Sequence, residues 1–129
     1  MRIDHVAIWT NDIGRIERFY GFYFGAKAGP HYTNIAKGFE SCFLTFTHGA
    51  RLEVMSTTTL PLSVAESGAQ PFGLTHLAIS VGSEQLVDEL ARRLSEDGIP
   101  ILDGPRRTGD GYYEAVTLDP DGNRIEICT

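Results

Sequence analysis

Cysteine is scarce in this chain: Cys42 and Cys128 are its only two. That excludes a disulfide framework, and the lack of Cys-x-x-Cys spacing excludes a thiolate zinc cluster, so reduced thiols in a reducing compartment are expected. Basic residues are also short, with 11 Lys and Arg against 17 Asp and Glu, a net charge of −6 and a pI near 5.1. Such a surface repels a phosphate backbone and lacks a basic stripe, so nucleic acid is not an expected partner. No apolar run approaches the ~20 residues of a membrane span, and the amino terminus has no signal-peptide layout. A cytoplasmic protein without a membrane partner is the expectation.

What is present describes an ordinary globular chain, 42% hydrophobic and 22% charged over 129 residues. That length is enough for one domain with a real core, whereas either half alone is near the marginal end. Two halves sharing a sheet or an interface are therefore expected.

The halves echo each other. Ile3-Asp4-His5-Val6-Ala7-Ile8 returns as Leu74-Thr75-His76-Leu77-Ala78-Ile79, and Gly49-Ala50-Arg51-Leu52-Glu53-Val54 returns as Gly122-Asn123-Arg124-Ile125-Glu126-Ile127. Between them, Gly29-Pro30 recurs as Gly104-Pro105. The offsets of 71, 75 and 73 residues drift as small loop insertions would make them drift. Three matches in one order, two of them carrying a metal-capable residue, indicate a duplicated module.

Each module reads as strand, helix, then three strands. Residues 2–10 alternate, with Val6 and Ile8 on one face and His5, Ala7 and Trp9 on the other. Asn11 or Asp12 caps a helix carrying Ile13, Ile16, Tyr20 and Phe24, which ends near Gly25. A polar loop is expected through Gly38, followed by strands at 39–47 and 51–56. The second half gives a strand at 74–81, a helix capped by Ser83 with Leu86, Val87, Leu90 and Leu94 inward, and strands at 99–107, 112–118 and 123–128. Module 1 spans about 1–57 and module 2 about 73–129. A linker at about 58–72, with one short helical turn around 63–67, joins them.

Strand parity turns His5, Glu53, His76 and Glu126 away from the helices, because Leu52 and Val54 bracket Glu53 as Ile125 and Ile127 bracket Glu126. An ionised carboxylate on a concave, partly dry face is costly without a counter-charge, and a divalent cation supplies one. Two imidazoles and two carboxylates suit zinc, nickel, cobalt or iron better than calcium, which takes oxygen alone. Taken singly, a strand histidine is more often hydrogen-bonded and an edge glutamate more often solvated. The duplication favours the metal. Weaker candidates are Arg106 and Arg107, read with residues 108–111 as a flexible basic loop for an anionic substrate, together with Lys37 and His31. Trp9 is a candidate pocket wall, Glu40 and Glu114 are possible extra acids, and Cys128 is read as a packed thiol.

At these residues the chain resembles the vicinal oxygen chelate superfamily, which includes glyoxalase I, extradiol dioxygenases and bleomycin-resistance proteins. The likeness covers nearly all of the chain and rests on 3–7, 74–78 and Asp119-Pro120-Asp121-Gly122-Asn123-Arg124-Ile125-Glu126. It implies an α+β fold of two tandem βαβββ modules forming an open eight-stranded curled sheet around a concave metal pocket. A His, Glu, His, Glu order looks like bacterial glyoxalase I, so by resemblance His5, Glu53, His76 and Glu126 are the ligands of one divalent ion, nickel or zinc before cobalt or iron.

The implied reaction is that of lactoylglutathione lyase, which isomerises a methylglyoxal hemithioacetal through a metal-bound enediolate. Glu126 would be the general base and Glu53 its counterpart. Trp9, Arg106 and Arg107 would contact substrate. Relatives of this size also imply a homodimer whose pockets join a module from each subunit. Bacterial glyoxalase I usually places arginine four residues after the first histidine and asparagine four after the first glutamate, where they help hold glutathione. This chain has Trp9 and Thr57 there. The rival readings are a non-haem iron dioxygenase, which leaves a position vacant instead of using Glu53, and a metal-free bleomycin-resistance-type binding protein.

Overall fold

The computed structural model describes residues 1–59 and 72–129. Most of the expected linker, with its helical turn at 63–67, lies outside the described residues. Two compact units divide the chain, Met1–Val64 and Ala65–Thr129. Both combine helix with mixed sheet, and neither sheet closes on itself. No helix among the described residues is long and apolar enough to cross a membrane.

The first unit runs β1 (His5–Trp9), α1 (Ile13–Phe24), β2 (Lys27–Ala28), β3 (Tyr32–Asn34), β4 (Phe39–Thr45) and β5 (Arg51–Thr57). Asp12 starts the helix by accepting the Arg15 N–H at 2.9 Å, satisfying a donor that has no partner within the helix. Gly25, at φ 65°, ends it. One stripe of α1, including Ile16 and Tyr20, is fully buried, and Leu44, Leu52 and Val54 supply buried sheet side chains. β1 lies parallel to β5, whose other neighbour is antiparallel β4. The expected polar loop through Gly38 is more structured than its composition indicates. β2 and β3 both pair with β4, and a 3-10 turn follows at Ile35–Lys37. Strands of three residues or fewer are too short for alternation to register.

The second unit repeats the plan with β6 (Leu77–Ser80), α2 (Glu84–Glu96), β7 (Ile101–Arg107), β8 (Tyr113–Leu118) and β9 (Arg124–Cys128). Its order, β6-β9-β8-β7, matches β1-β5-β4-β2 strand for strand. Even single bonds recur: the Thr10 N–H donates to the Met55 carbonyl at 2.8 Å and the Val81 N–H to the Cys128 carbonyl at 2.8 Å. Ser83 caps α2 through the Leu86 N–H. Val87, Ala91 and Leu94 face inward as a heptad-like stripe, whereas Leu86 is 46% exposed, which corrects its expected core position. The buried stripe is centred on Val87, Ala91 and Leu94, which leaves Leu86 at its margin on the side away from Ala91.

β7 carries an irregularity that matters for the site. Asp103 pairs with Val116 and Arg106 with Glu114, so three steps on β7 oppose two on β8. This bulge places Asp103 and Arg106 on one face, which plain alternation forbids. Gly104 sits inside it at φ 77°, where a Cβ would overlap the Glu114 carbonyl oxygen and touch the Ala115 Cα at 3.0 Å. Gly104→Ala is therefore expected to destabilise the protein by about 1–3 kcal/mol, the range for forced overpacking. Urea unfolding checks this, and a midpoint equal to the wild type would show that the bulge relaxes without cost.

Candidate metal centre

In each unit the first and last strands pair in parallel, and the resulting registers are identical. Ala7 stands opposite Glu53 and Ala78 opposite Glu126. Each histidine lies two residues before its alanine, so it shares a face with the glutamate and reaches it diagonally. His5 Nε2 lies 3.6 Å from Glu53 Oε2, and His76 Nε2 lies 3.2 Å from Glu126 Oε2. The first separation exceeds hydrogen-bond length and the second is at its upper limit. Two donors bound to one cation at about 2.0–2.2 Å and at angles of about 90–110° stand about 3.0–3.5 Å apart, a spacing the His76–Glu126 pair has and the His5–Glu53 pair, at 3.6 Å, slightly exceeds.

The far side of each ring is engaged. His5 Nδ1 is 3.0 Å from Asp4 Oδ2. An ionised carboxylate only accepts, so Nδ1 donates to Asp4 and Nε2 is the nitrogen directed toward Glu53. Hydrogen bonds from His5 and Arg51 hold the Asp4 carboxyl below the usual carboxylate range. Arg51 in turn lies over the Phe43 ring, 4.2 Å from its centroid, and Phe43 meets the His5 ring edge-on at 5.4 Å. His76 Nδ1 is 3.1 Å from Thr75 Oγ1. Thr75 and Val116 occupy the places of Asp4 and Phe43 in the second module, so its histidine has the lighter support.

Beyond Glu126 the second module adds charge. β8 places Glu114 and Val116 on the face of Glu126, and Arg106 opposite Glu114. Glu114 is 8% exposed. Burial first, and then the neighbouring charge of Glu126, push its carboxyl above the ordinary value, and Arg106 opposes them. Arg106 Nη2 is 3.3 Å from Glu114, and its Nε donates to Asp103 at 2.7 Å. The turn before β9 is fixed by buried Asp119, which accepts the Asp121 and Asn123 backbone N–H groups at 2.9 and 2.8 Å and the Asn123 Nδ2 at 2.8 Å. That turn sets where β9, and with it Glu126, begins.

Several sequence expectations need correction here. Arg106 and Arg107 are not in a flexible loop but at the end of β7, and both are paired with acids. Arg107 faces the helix side, bonded to Glu84 of α2 and lying over Tyr113, so it leaves the face that carries Glu126. Glu40 shares parity with Cys42 and Leu44 and also turns from the ligand face. His31 reaches Glu17 of α1 at 2.7 Å. Trp9 lies on the His5 face, 47% exposed and edge-on to Phe39 at 6.2 Å. Sequence reasoning missed Asp4 as the support of His5 and Phe43 as its neighbour. Asp4 adjoins His5, which was a visible signal, but its partner Arg51 lies 47 residues away.

Both thiols are buried. Burial, then Glu17, raise Cys42 from 9.0 to about 11, and burial, Glu114 and Glu126 raise Cys128. A thiol whose folded pKa is raised stabilises the fold fully below its unfolded value and loses that contribution as pH rises through the folded value. The Cys42 contribution is thus expected to be present below pH 9.0 and to fade toward about 11. Unfolding midpoints across that window should fall further for the wild type than for Cys42→Ala, and parallel curves would contradict the assignment. Native protein at pH 8 should also resist iodoacetamide.

A family model for the Glyoxalase/Bleomycin resistance protein/Dioxygenase superfamily matches residues 2–127. An uncharacterized Bacillus subtilis (strain 168) protein, YqjT, is 24% identical over 126 residues, covering 95% of this chain and 94% of its own. Among solved structures, a trypanothione-dependent glyoxalase I of Leishmania major superposes with a TM-score of 0.76 at 24% identity, covering 98% of this chain and 85% of that one. Glyoxalase I of Zea mays gives 0.78 at 22% identity, over 98% of this chain and 44% of that one. A glyoxylase/bleomycin resistance protein/dioxygenase domain from Frankia sp. EAN1pec gives 0.81 at 17% identity, over 99% and 96%. These structural likenesses concern the fold alone. With the family match spanning almost every residue and the twin βαβ order observed in both units, the chain belongs to the glyoxalase/bleomycin resistance protein/dioxygenase superfamily.

Proposed function

We propose that the protein is a metal-dependent lyase or isomerase of glyoxalase I type, similar to lactoylglutathione lyase, which moves a proton between adjacent carbons of an oxygenated substrate. The observation that carries this reading is the twin diagonal, His5 to Glu53 at 3.6 Å and His76 to Glu126 at 3.2 Å. His5, Glu53, His76 and Glu126 would hold one divalent ion, nickel or zinc, in a symmetric homodimer. The ion would supply Lewis acidity to neighbouring substrate oxygens.

The chain's own groups do the rest. Asp4 and Phe43 fix the His5 ring, so that its Nε2 needs no reorganisation to act as a ligand. Glu126 takes the proton from one carbon and returns it to the next, with Glu53 as its counterpart on the other module. Trp9 and Phe39 offer an apolar wall on the His5 face, and Arg106, held by Asp103 and Glu114, is the guanidinium on the Glu126 face. Glu53, facing His5 at 3.6 Å, supports this chemistry over the dioxygenase reading, which leaves that place vacant.

The test is an assay with methylglyoxal hemithioacetals of glutathione and of other small thiols, on protein loaded with nickel or zinc. Trp9 and Thr57 stand where bacterial glyoxalase I has glutathione-holding residues, so turnover with a thiol other than glutathione is included as support. No turnover with any of these thiols, despite bound metal, would exclude the glyoxalase reaction.

A further inference from the structure

A second cluster of potential ligands lies on the opposite, helix-facing side of the first sheet. Glu17 comes from α1, His31 from the turn between β2 and β3, and Cys42 from β4. One ligand atom from each lies within 4.8 Å of the other two. His31 Nε2 is 2.7 Å from Glu17 Oε1, and Cys42 Sγ is 3.4 Å from the Gly29 carbonyl oxygen. Cys42 is 1% exposed, while the side chains of Glu17 and His31 are 20% and 49% exposed, so the cluster has a wet end and a dry end.

The duplication supplies an internal control. By register, Cys42 stands opposite Val54 as Ala115 stands opposite Ile127. Ala115 is also 1% exposed. The fold thus closes the same layer with a methyl group in one module, and nothing in the packing calls for a thiol in the other. Asp88, one turn into α2 as Glu17 is into α1, is used differently again, accepting the Tyr113 hydroxyl at 2.8 Å. Histidine, thiol and carboxylate converge in the first module alone among the described residues. Three unlike side chains from three separate elements meeting at one point need a reason that the shared architecture does not provide.

We propose that Glu17, His31 and Cys42 form a second metal site, for a borderline-soft divalent cation of the zinc class, with water as the remaining ligand. A zinc ion takes sulfur at about 2.3 Å, imidazole nitrogen at about 2.0–2.1 Å and carboxylate oxygen at about 2.0–2.2 Å, which sets the donors about 3–4 Å apart. Metal binding opens the 2.7 Å bond between the exposed His31 ring and Glu17 by a few tenths of an ångström and brings the Cys42 sulfur, within 4.8 Å of both partners, to that spacing. On binding, the Cys42 S–H bond breaks, its proton passes to solvent and the sulfur–metal bond forms, with no change of oxidation state. This ligand set contains a thiolate, whereas the His–Glu pairs do not, so the two sites have distinct signatures. The site ties α1 and the β2–β3 turn to β4, so its expected role is to stabilise the first module.

Cobalt(II) provides the test, because a thiolate–cobalt bond gives a near-ultraviolet charge-transfer band that imidazole and carboxylate do not. The band is expected in the wild type, in the His5→Ala/His76→Ala protein and in Cys128→Ser. It should disappear in Cys42→Ala and fall by at least half in His31→Ala. The twin Ala115 indicates that Cys42→Ala folds, and Cys42→Ser is a second variant with the same expectation. Zinc should also raise the unfolding midpoint of His5→Ala/His76→Ala and leave that of the same protein carrying Cys42→Ala unchanged. No band in the wild type at saturating cobalt, or a band that survives Cys42→Ala, would overturn the site, and neither result bears on the glyoxalase reaction.

Discussion

Glu126→Gln is expected to reduce turnover of an accepted hemithioacetal by about 10²–10⁴-fold, the range that a positioned general base contributes. The substitution keeps the shape of the side chain and removes its ability to take a proton. Ile125 and Ile127, both fully buried, anchor the strand on either side, so the amide is held where the carboxylate was. The unfolding midpoint should therefore stay near that of the wild type. Metal content measured on the same preparation separates a lost base from a lost ligand, since an amide oxygen is the weaker donor. An unchanged rate would show that the base is elsewhere, and Glu53 would be the next residue to replace.

Tyr20→Ala should give the opposite pair of results, a large loss of stability with little specific effect on chemistry. Tyr20 is fully buried, edge-on to Phe19 at 5.3 Å and tilted against Phe24 at 5.8 Å. Deleting a buried aromatic ring costs about 3–5 kcal/mol through lost burial and the cavity left behind. Denaturant unfolding should show the midpoint falling by that free energy divided by the slope, with the slope unchanged. In the remaining folded fraction, turnover per bound metal should be close to the wild type, because Tyr20 belongs to the helix layer and Glu53 points to the other face. A loss below about 1 kcal/mol would mean that α1 repacks around the gap.

Much of the architecture was legible because its signals are local or periodic. Leu52 and Val54 bracketing Glu53 fixed the facing of β5 without any tertiary information, and the structure places those two in the core. The cap Ser83 was readable from side-chain chemistry next to an apolar stripe, and the first cap was narrowed to Asn11 or Asp12, of which the structure uses Asp12. What escaped notice depends on register. Whether His5 reaches Glu53 is decided by the parallel pairing of β1 with β5, and periodicity within either strand carries no information about that alignment. Arg106 and Arg107 were misplaced for a related reason. Register shifts between Ile101 and Asp103 and between Asp103 and Arg106 put Asp103 and Arg106 on the face of Glu114, while Arg107 returns to the face of Ile101 and turns to α2. β2 and β3 were lost in a polar loop because two or three residues offer too little pattern.

The Glu17, His31 and Cys42 cluster shows the same limit from another side. His31 was read as a weak candidate for an anionic substrate and Cys42 only as a reduced thiol, and only the packing of α1 against the sheet brings them to one carboxylate. The Gly29-Pro30 and Gly104-Pro105 echo falls between β2 and β3 in one module and at the β7 bulge in the other, and the side chains that follow diverge, His31 toward a helix and Arg106 toward Glu114. Duplication conserves backbone plan more readily than it conserves the use made of each face.

The central claim, that twin histidine and glutamate pairs hold one cation, is tested most directly by X-ray absorption on nickel-loaded Cys42→Ala protein, where the thiolate site is removed. One nickel per chain is predicted, in a shell of nitrogen and oxygen at about 2.0–2.2 Å with the multiple-scattering signature of two imidazole rings, one of which disappears in His5→Ala and the other in His76→Ala. A bound nickel whose shell contains no imidazole, or protein that retains no nickel after loading, would contradict it.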